Sequence, residues 1–318
     1  MAKRAKREQG RVGRAGKRPV RGMPGLEFHD DPTDFLKAAR SHLAAEPVLS
    51  TVVAANAERA GREDAAGVEH GLPHRWWLVV RDDLGEVAGV GMRTAPFAPY
   101  PLFLLPMPGE AAAALAHVLQ ARGERVGGVN GALPAAGACA GELARLQGGT
   151  AETVLHSRLH EATAVVDPPP APGRLRLARP DEAGLALKWF EAFADAAAEE
   201  AGREPGSHHD MAEDVAGIGR RIHEERLWFW VDDEDRPVHL TGYNLPALGA
   251  ARIGPVYTPA EHRGKGYAGN AVAQVTRRLL AGRSRACLYT DQANPTSNTL
   301  YAALGFEPVV DMVEIEIS

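Results

Sequence analysis

Four prolines fall within seven residues near the middle of the chain, at Asp167-Pro168-Pro169-Pro170-Ala171-Pro172-Gly173. Each fixes φ and lacks a backbone N–H, so neither a helix nor a central strand runs through the segment, and a stiff extended connection is expected. About 145 residues lie on each side once a basic N-terminal tail is set aside. The predicted organisation is therefore a tail (1–22), a first unit (23–166), the linker (167–173) and a second unit (174–318).

Both sides show the same order of patterns. In the second, Arg174–Ala178 alternates as a strand, and Pro180-Asp181 opens a helix through Leu185, Leu187, Phe190 and Phe193. A polar loop (Gly202–Asp210) and a helix (Met211–Ile222) follow, then strand-like runs at Leu227–Val231, Pro237–Tyr243 and Ala250–Thr258. Gly266–Leu280 places Ala268, Val272, Val275 and Leu279 on one helical face. Cys287–Thr290 reads as a strand, Pro295–Leu304 as a helix and Val309–Ile317 as the strand that closes the half. In the first half, helices are expected at Phe35–Leu43 and Val48–Arg59, and strands at Trp76–Arg81, Glu86–Arg93 and Pro101–Leu105. A helix (Ala111–Ala121), a strand (Val126–Val129), a helix (Pro134–Leu146) and a strand (Val154–Val166) complete it. The repetition points to an internal duplication of an α+β unit.

Composition excludes several classes. Apolar residues make up 45% and charged residues 24%, which supplies a sizeable core and rules out a collagen or a largely disordered chain. No stretch approaches the roughly 18 apolar residues of a membrane helix, and no signal peptide is visible. Cys139 and Cys287 are too few for a disulfide framework and are not spaced with histidines as metal ligands would be, so no metal and a reducing cytoplasm are expected. The net charge of −5 hides a tail carrying +8 and a remainder carrying −13. The tail cannot bury a core. It reads as a nucleic-acid arm, a solvated extension, or sequence ahead of a start at Met23; the acidic remainder argues against a nucleic-acid partner.

The segment with chemistry in it is ARIGPVYTPAEHRGKGYAGNAV, Ala251–Val272: a strand, a turn, a basic glycine-rich loop and a helix start. Gly264 and Gly266 let backbone approach a ligand closely. The amides from about Gly266 to Gly269 lack helical acceptors and lie at the positive end of the dipole, while Arg263 and Lys265 add charged donors. Such a loop suits a diphosphate. Gly264-x-Gly266-x-x-Gly269 also matches a dinucleotide fingerprint, with Asp291 at 22 residues beyond it, but only 49 residues follow Gly269, too few for a doubly wound sheet. A phosphate-binding Gly-Lys-Ser/Thr pattern is absent.

Arg263-Gly264-Lys265-Gly266-Tyr267-Ala268 resembles the Arg/Gln-x-x-Gly-x-Gly/Ala motif of the GCN5-related N-acetyltransferase (GNAT) superfamily, between its fourth strand and the next helix. Asn294-Pro-Thr-Ser297-Asn298-Thr-Leu300-Tyr301-Ala-Ala-Leu-Gly305-Phe306, starting 28 residues after Gly266, resembles that family's second block. The wording VYTPAEHRGKGYA further resembles the branch containing FR47-like proteins. The resemblance covers Arg174–Ser318 and, more loosely, the whole chain as a tandem pair.

It implies an α+β fold of two such units, each a mostly antiparallel sheet flanked by helices, with the fourth and fifth strands splayed around acyl-coenzyme A. Gly254-Pro255 in the fourth strand suits a bulge there. By the resemblance, Val256, Tyr257 and Thr258 offer backbone to the pantetheine. Arg263, Gly264, Lys265, Gly266, Tyr267, Ala268 and Gly269 hold the diphosphate, Asn294 bonds the pantetheine arm, and Tyr301 protonates the leaving thiolate. A small-molecule or peptide amine would attack acetyl-CoA directly. Glu261, His262, His208, His209, Glu199 and Glu200 are open candidates for the base. Trp76 and Trp77 read as strand core. In the first half Met107-Pro108-Gly109-Glu110 replaces the basic loop, and aligning Gly148 with Gly305 puts Ala144 at Tyr301 and Gly137 at Asn294, so a copy that keeps the fold without coenzyme A is expected. The alternatives are a coenzyme-A-binding module without turnover, and a tandem synthase similar to mycothiol synthase.

Overall fold

Pro32 and Pro47 open the first two helices, positions where a missing N–H costs little because the first helical amides have no acceptor. Asp31 caps the first of them, its carboxylate accepting from Thr33 N at 2.7 Å. In the computed structural model, which describes residues 25–68, 72, 74–96, 98–200 and 214–318, the first unit runs β1 (Gly25–His29), α1 (Pro32–Ala45), α2 (Pro47–Ala65), β2 (Trp76–Arg81), β3 (Val87–Arg93) and β4 (Leu102–Leu104). It continues with α3 (Gly109–Ala121), β5 (Gly128–Ala132), α4 (Ala135–Gln147) and β6 (Ala151–Ala162). The second unit repeats the order: β7 (Arg174–Leu177), α5 (Ala183–Glu200), α6 (Val215–His223), β8 (Leu227–Val231), β9 (Pro237–Tyr243) and β10 (Ala250–Tyr257). Then come α7 (Tyr267–Ala281), β11 (Arg285–Asp291), α8 (Pro295–Ala303) and β12 (Glu307–Ile317).

The duplicated order is present, with one element the sequence reading left out. β1 pairs antiparallel with β2 along Gly25–His29, and its alternating Leu26 and Phe28 pack on the core beneath. It is the counterpart of β7, which pairs with β8. The basic tail (1–22) and the Gly202–Asp210 loop, with His208 and His209, lie outside the described residues.

The strands form one sheet of 12, in the order β1-β2-β3-β4-β5-β12-β6-β11-β10-β9-β8-β7. Among the described residues only β4–β5 and β10–β11 are parallel pairs. The surprise lies at the centre. β12 does not close its own unit against β11; it inserts between β5 and β6, while β6 pairs with β11. The two units thus exchange their last strands. Val313 and Ile315 of β12 consequently complete the core of the first unit, beside Leu115, Leu119 and Val129. Alternation explains how one strand serves both: successive side chains point to opposite faces and both backbone edges are used.

Trp76 and Trp77 sit on opposite faces of β2, 1% and 0% exposed, in separate cores. The Trp76 indole N–H donates to Glu124 Oε2 at 3.0 Å, and that oxygen also accepts from Arg93 Nη1 at 2.9 Å. Arg122 adds a 2.6 Å contact to the other carboxylate oxygen. Burial by itself pushes the Glu124 carboxyl up, but the hydrogen bonds from Trp76 and Arg93 and the charges of Arg122 and His74 outweigh it and hold it below its ordinary value. Removing one partner of a buried pair strands the other. Glu124→Ala is therefore expected to destabilise the protein by about 3–5 kcal/mol, measured by urea unfolding near neutral pH. Because the folded-state value is depressed, the contribution is present above the ordinary glutamate range and fades as pH falls through the folded value. The wild type and the variant should converge in acid.

Candidate active site

The parting of β10 and β11 organises the site. Their ladder covers only Ala250–Arg252 against Arg285–Cys287, yet β10 runs on to Tyr257 and β11 to Asp291. A register shift between Ile253 and Val256 marks the expected bulge at Gly254-Pro255, where proline has no N–H for a ladder. Beyond it, Val256 and Tyr257 pair with Thr241 and Leu240 of β9, so the edge of β10 toward β11 carries no ladder there. Two strands that diverge leave a slot between them.

At the end of β10 the chain turns through Pro259 and a short 3-10 turn at Ala260–His262 into the glycine loop. Arg263 Nε donates to Thr258 O at 3.1 Å, which ties the loop to the strand end, and Lys265 Nζ reaches Glu261 O at 3.4 Å. Gly264 and Gly266 take φ of 74° and 79°, the left-handed region that side chains resist. Gly266 caps α7, and the first backbone bond of that helix runs from Asn270 N to Gly266 O at 3.2 Å. The amides of Tyr267, Ala268 and Gly269 precede it and have no acceptor within the helix. They converge with two exposed cations at the positive end of the helix dipole, an arrangement that receives an anion.

The remaining described residues singled out from the sequence each have a definite place. Tyr267 is 7% exposed with its ring stacked on Trp230, centroids 6.5 Å apart, so only its backbone faces the loop. Gly269 is buried, and a side chain there would come within 3.3 Å of Leu300 Cδ1; that glycine lets α7 and α8 close. Asn294, 4% exposed, caps α8 by accepting from Ser297 N at 3.0 Å. Tyr301 is 7% exposed in the cluster beneath β10 and β11, edge-on to Phe306 at 5.8 Å. Tyr257 turns to the opposite face, toward Trp189 of α5 at 6.0 Å. Among the candidate bases, Glu261 and His262 belong to the 3-10 turn, and Glu199 and Glu200 to the end of α5.

Two features were not read from the sequence. The linker is docked: Asn270 Nδ2 donates to Pro169 O at 2.9 Å and Trp230 Nε1 to Pro172 O at 2.7 Å, while Arg277 pairs with Asp167. Pro168 comes against Gly269 and Ala171 against Gly266, so the linker buttresses the start of α7. His239 is also wholly buried, between Thr258 at 2.8 Å and Thr241. Burial pushes it down to about 3, so it stays neutral and supports β10 from below.

Among its described residues the first unit has no matching loop. Pro108 caps α3 without a side-chain bond, and Glu110 occupies the first turn. α4 is capped by Pro134 and starts at Ala135, so Gly137, aligned with Asn294 from the sequence, lies inside the helix instead of at its cap. A cavity of about 400 Å³ flanks this corner, lined mainly by apolar groups with His42 and Glu46 at the end of α1.

Among the described residues no helix is long and apolar enough to cross a membrane, and no group of three or more His, Cys, Asp or Glu is placed to hold a metal ion. Residues 242–313 match the sequence model of the family described as FR47-like protein. No curated protein matches the sequence. Several solved structures share the architecture. A GCN5-related N-acetyltransferase from Sphaerobacter thermophilus is 20% identical with a TM-score of 0.55, over 91% of this chain and 94% of its own. A tandem GNAT protein from the clavulanic acid biosynthesis pathway is 16% identical with a TM-score of 0.53, over 92% and 98%. A GNAT-family acetyltransferase from Colwellia psychrerythraea is 13% identical with a TM-score of 0.52, over 92% and 100%. At these identities the likeness is one of fold. With its repeated α+β units and the parallel pairs β4–β5 and β10–β11, the chain has the tandem GNAT fold, and residues 242–313 of its second unit match the FR47-like model.

Proposed function

We propose that the second unit, residues 174–318, is an acyl-CoA-dependent N-acyltransferase that passes an acetyl group from acetyl-CoA to a primary amine. One observation carries the reading: the anion-receiving start of α7 opens at the place where β10 and β11 part. A diphosphate on the amides of Gly264–Gly269 with Arg263 and Lys265 would direct its pantetheine into the slot along Val256, Tyr257 and Thr258. Asn294, at the start of α8, would meet the pantetheine arm. Backbone N–H groups of the open β10 edge would stabilise the oxyanion that develops when the amine attacks the thioester. The amine loses a proton, the carbon–sulfur bond breaks, and Tyr301 returns a proton to the sulfur. A phenol near 10 giving its proton to a thiolate near 8.5 is an uphill step that this site would have to assist.

The first unit, residues 23–166, is proposed as a copy that keeps the fold and lacks the coenzyme site, since an acid and a proline stand where the phosphate loop would be. Its part would be structural and would shape the acceptor side. Cys139 and Cys287 are buried free thiols, pushed up to about 12 and about 11 mainly by burial, which suits a cytoplasmic protein whose cysteines do no chemistry.

Release of free thiol from acetyl-CoA with pools of amines tests the reaction. Turnover on any amine excludes the reading as a coenzyme-binding module without catalysis. Tyr301→Phe should lower kcat about 100-fold or more, the range of a lost general acid, with the Kd for acetyl-CoA unchanged. Equal turnover would reduce Tyr301 to a packing residue.

A further inference from the structure

The two faces of the β10–β11 junction differ in kind. Ala251, Ile253, Ala286 and Leu288 point to the cluster under α7 and α8. Ala250 and Cys287 point the other way, into a cluster with Val48 of α2 and Leu159 of β6. Strand alternation puts Arg252 and Tyr289 on this second face, and Tyr289 packs against that cluster. Arg252 is the last residue of β10 paired with β11 before the strands part, so its side chain sits at the inner end of the slot.

Arg252 is half-buried and has no carboxylate partner among the described residues. Its guanidinium lies 5.9 Å from the centre of the Tyr289 ring. The Tyr289 hydroxyl is itself buried and meets no hydrogen-bond partner. Burial holds that phenol well above its ordinary value, so it remains a neutral donor. The guanidinium offers donors only, and the phenol beside it has an O–H still to give; a sheltered cation with no acceptor is costly unless something negative completes it. The neighbouring arginine on this side is already committed: Arg221 donates to Asn244 Oδ1 at 3.0 Å and to Tyr243 O at 3.4 Å. On this face α2 of the first unit packs on β10 and β11, with Val48 in the same cluster as Cys287 and Tyr289. The first unit therefore contributes to the surroundings of the pair.

We propose that Arg252 and Tyr289 form the subsite for a carboxylate borne by the acceptor, so that the amine substrate is an amino-carboxylate held by its acid group with its nitrogen toward the slot. The proposal rests on the acyltransferase reading for the purpose of the subsite, but not for its existence. A carboxylate takes two guanidinium N–H groups side by side and still has a lone pair for the phenol. Arg252 and Tyr289 are specificity residues here; neither takes part in breaking the thioester.

Binding can be read without turnover. The full chain is titrated by calorimetry with β-alanine, 4-aminobutanoate and 5-aminopentanoate, and with propylamine, butylamine and pentylamine as matched controls. At least one carboxylate should bind about tenfold or more tighter than its matched amine, the scale of a charge-assisted pair. Arg252→Gln should erase that preference, Arg252→Lys should keep part of it, and Tyr289→Phe should reduce it several-fold. The Kd for acetyl-CoA should not move in any of the three variants. Under turnover the loss should appear as a raised KM for the carboxylate acceptor, with KM for acetyl-CoA unaltered. Equal binding of the two classes, binding of neither, or a preference that survives Arg252→Gln overturns the subsite. If the carboxylate preference holds and follows Arg252 while acetyl-CoA fails to bind, the subsite stands and the acyltransferase reading falls.

Discussion

Gly266→Glu is expected to abolish acetyl-CoA binding while the protein remains folded. Three physical effects act together at that residue. The backbone at φ 79° disfavours any side chain by about 1–2 kcal/mol. Space beside it is bounded by Ala171 of the linker and Asn270, 3.6 and 3.7 Å from where a Cβ would stand, so a longer side chain turns outward over the loop amides. A carboxylate there then takes the place of the diphosphate on the start of α7, at the favourable end of its dipole. The Kd should weaken by at least about 100-fold, the scale of losing two or more charge-assisted bonds. Gly266→Ala separates the causes, since it adds the backbone cost without the charge and should weaken binding far less. Calorimetric titration with acetyl-CoA measures both, with circular dichroism as the check on folding. An unchanged affinity in Gly266→Glu removes the phosphate-loop assignment.

The second large effect concerns the exchanged strands. A fragment of residues 23–166 expressed alone should not yield a stable monomer, and residues 167–318 alone should fare no better. Each fragment lacks the strand that lies beside its fifth one, β12 beside β5 and β6 beside β11. The first also loses Val313 and Ile315 from its core, and two buried aliphatic side chains are worth about 1.5–3 kcal/mol each. An open central edge invites self-association. Co-expressing the fragments should restore a soluble one-to-one complex with the thermal transition of the intact chain, read by size-exclusion chromatography and melting curves. A stable monomeric first fragment with native circular dichroism would mean that β6 can return to β5 and that the exchange contributes little. Val313→Asp tests the same point within the whole chain, because it places an unpaired charge at a position 2% exposed in the first unit's core.

The exchange gives the tandem arrangement a physical reason. A first unit without a phosphate loop could have been lost if it were a separate body on a tether. Here its last strand pairs with β11, and its helix α2 packs across β10 and β11. The docked linker adds a third tie, from Pro169 to Asn270 beside the glycine loop. Changes in the first unit should therefore reach the site through these contacts, and Glu124→Ala is a probe of that route as well as of stability.

Much was written locally. The linker prolines, the two matching orders of strand and helix, and the strand–loop–helix at Ala251–Val272 are all short-range patterns in which neighbouring residues decide the conformation. Left-handed glycines at 264 and 266 and the bulge at Gly254-Pro255 belong to this class, because each depends on one residue's own backbone freedom. The elements missed or displaced were those with weak local signals. β1 is five residues long with two apolar positions, and Gly137 was placed by counting back along a helix, α4, that is longer than its counterpart α8.

Tertiary structure decided the rest. β6 and β12 are both long alternating strands, and alternation states which face is buried without stating which neighbour supplies the pairing. Glu124, Arg93 and Trp76 are far apart in the chain, so their mutual satisfaction appears only when β2, β3 and the end of α3 converge. The same holds for Arg252 and Tyr289, ordinary strand residues in sequence that become a pair of unmatched donors when β10 meets β11. Local backbone preference reaches only a few residues along a chain, whereas partner choice in a sheet and the pairing of buried charges are settled by groups that meet across it.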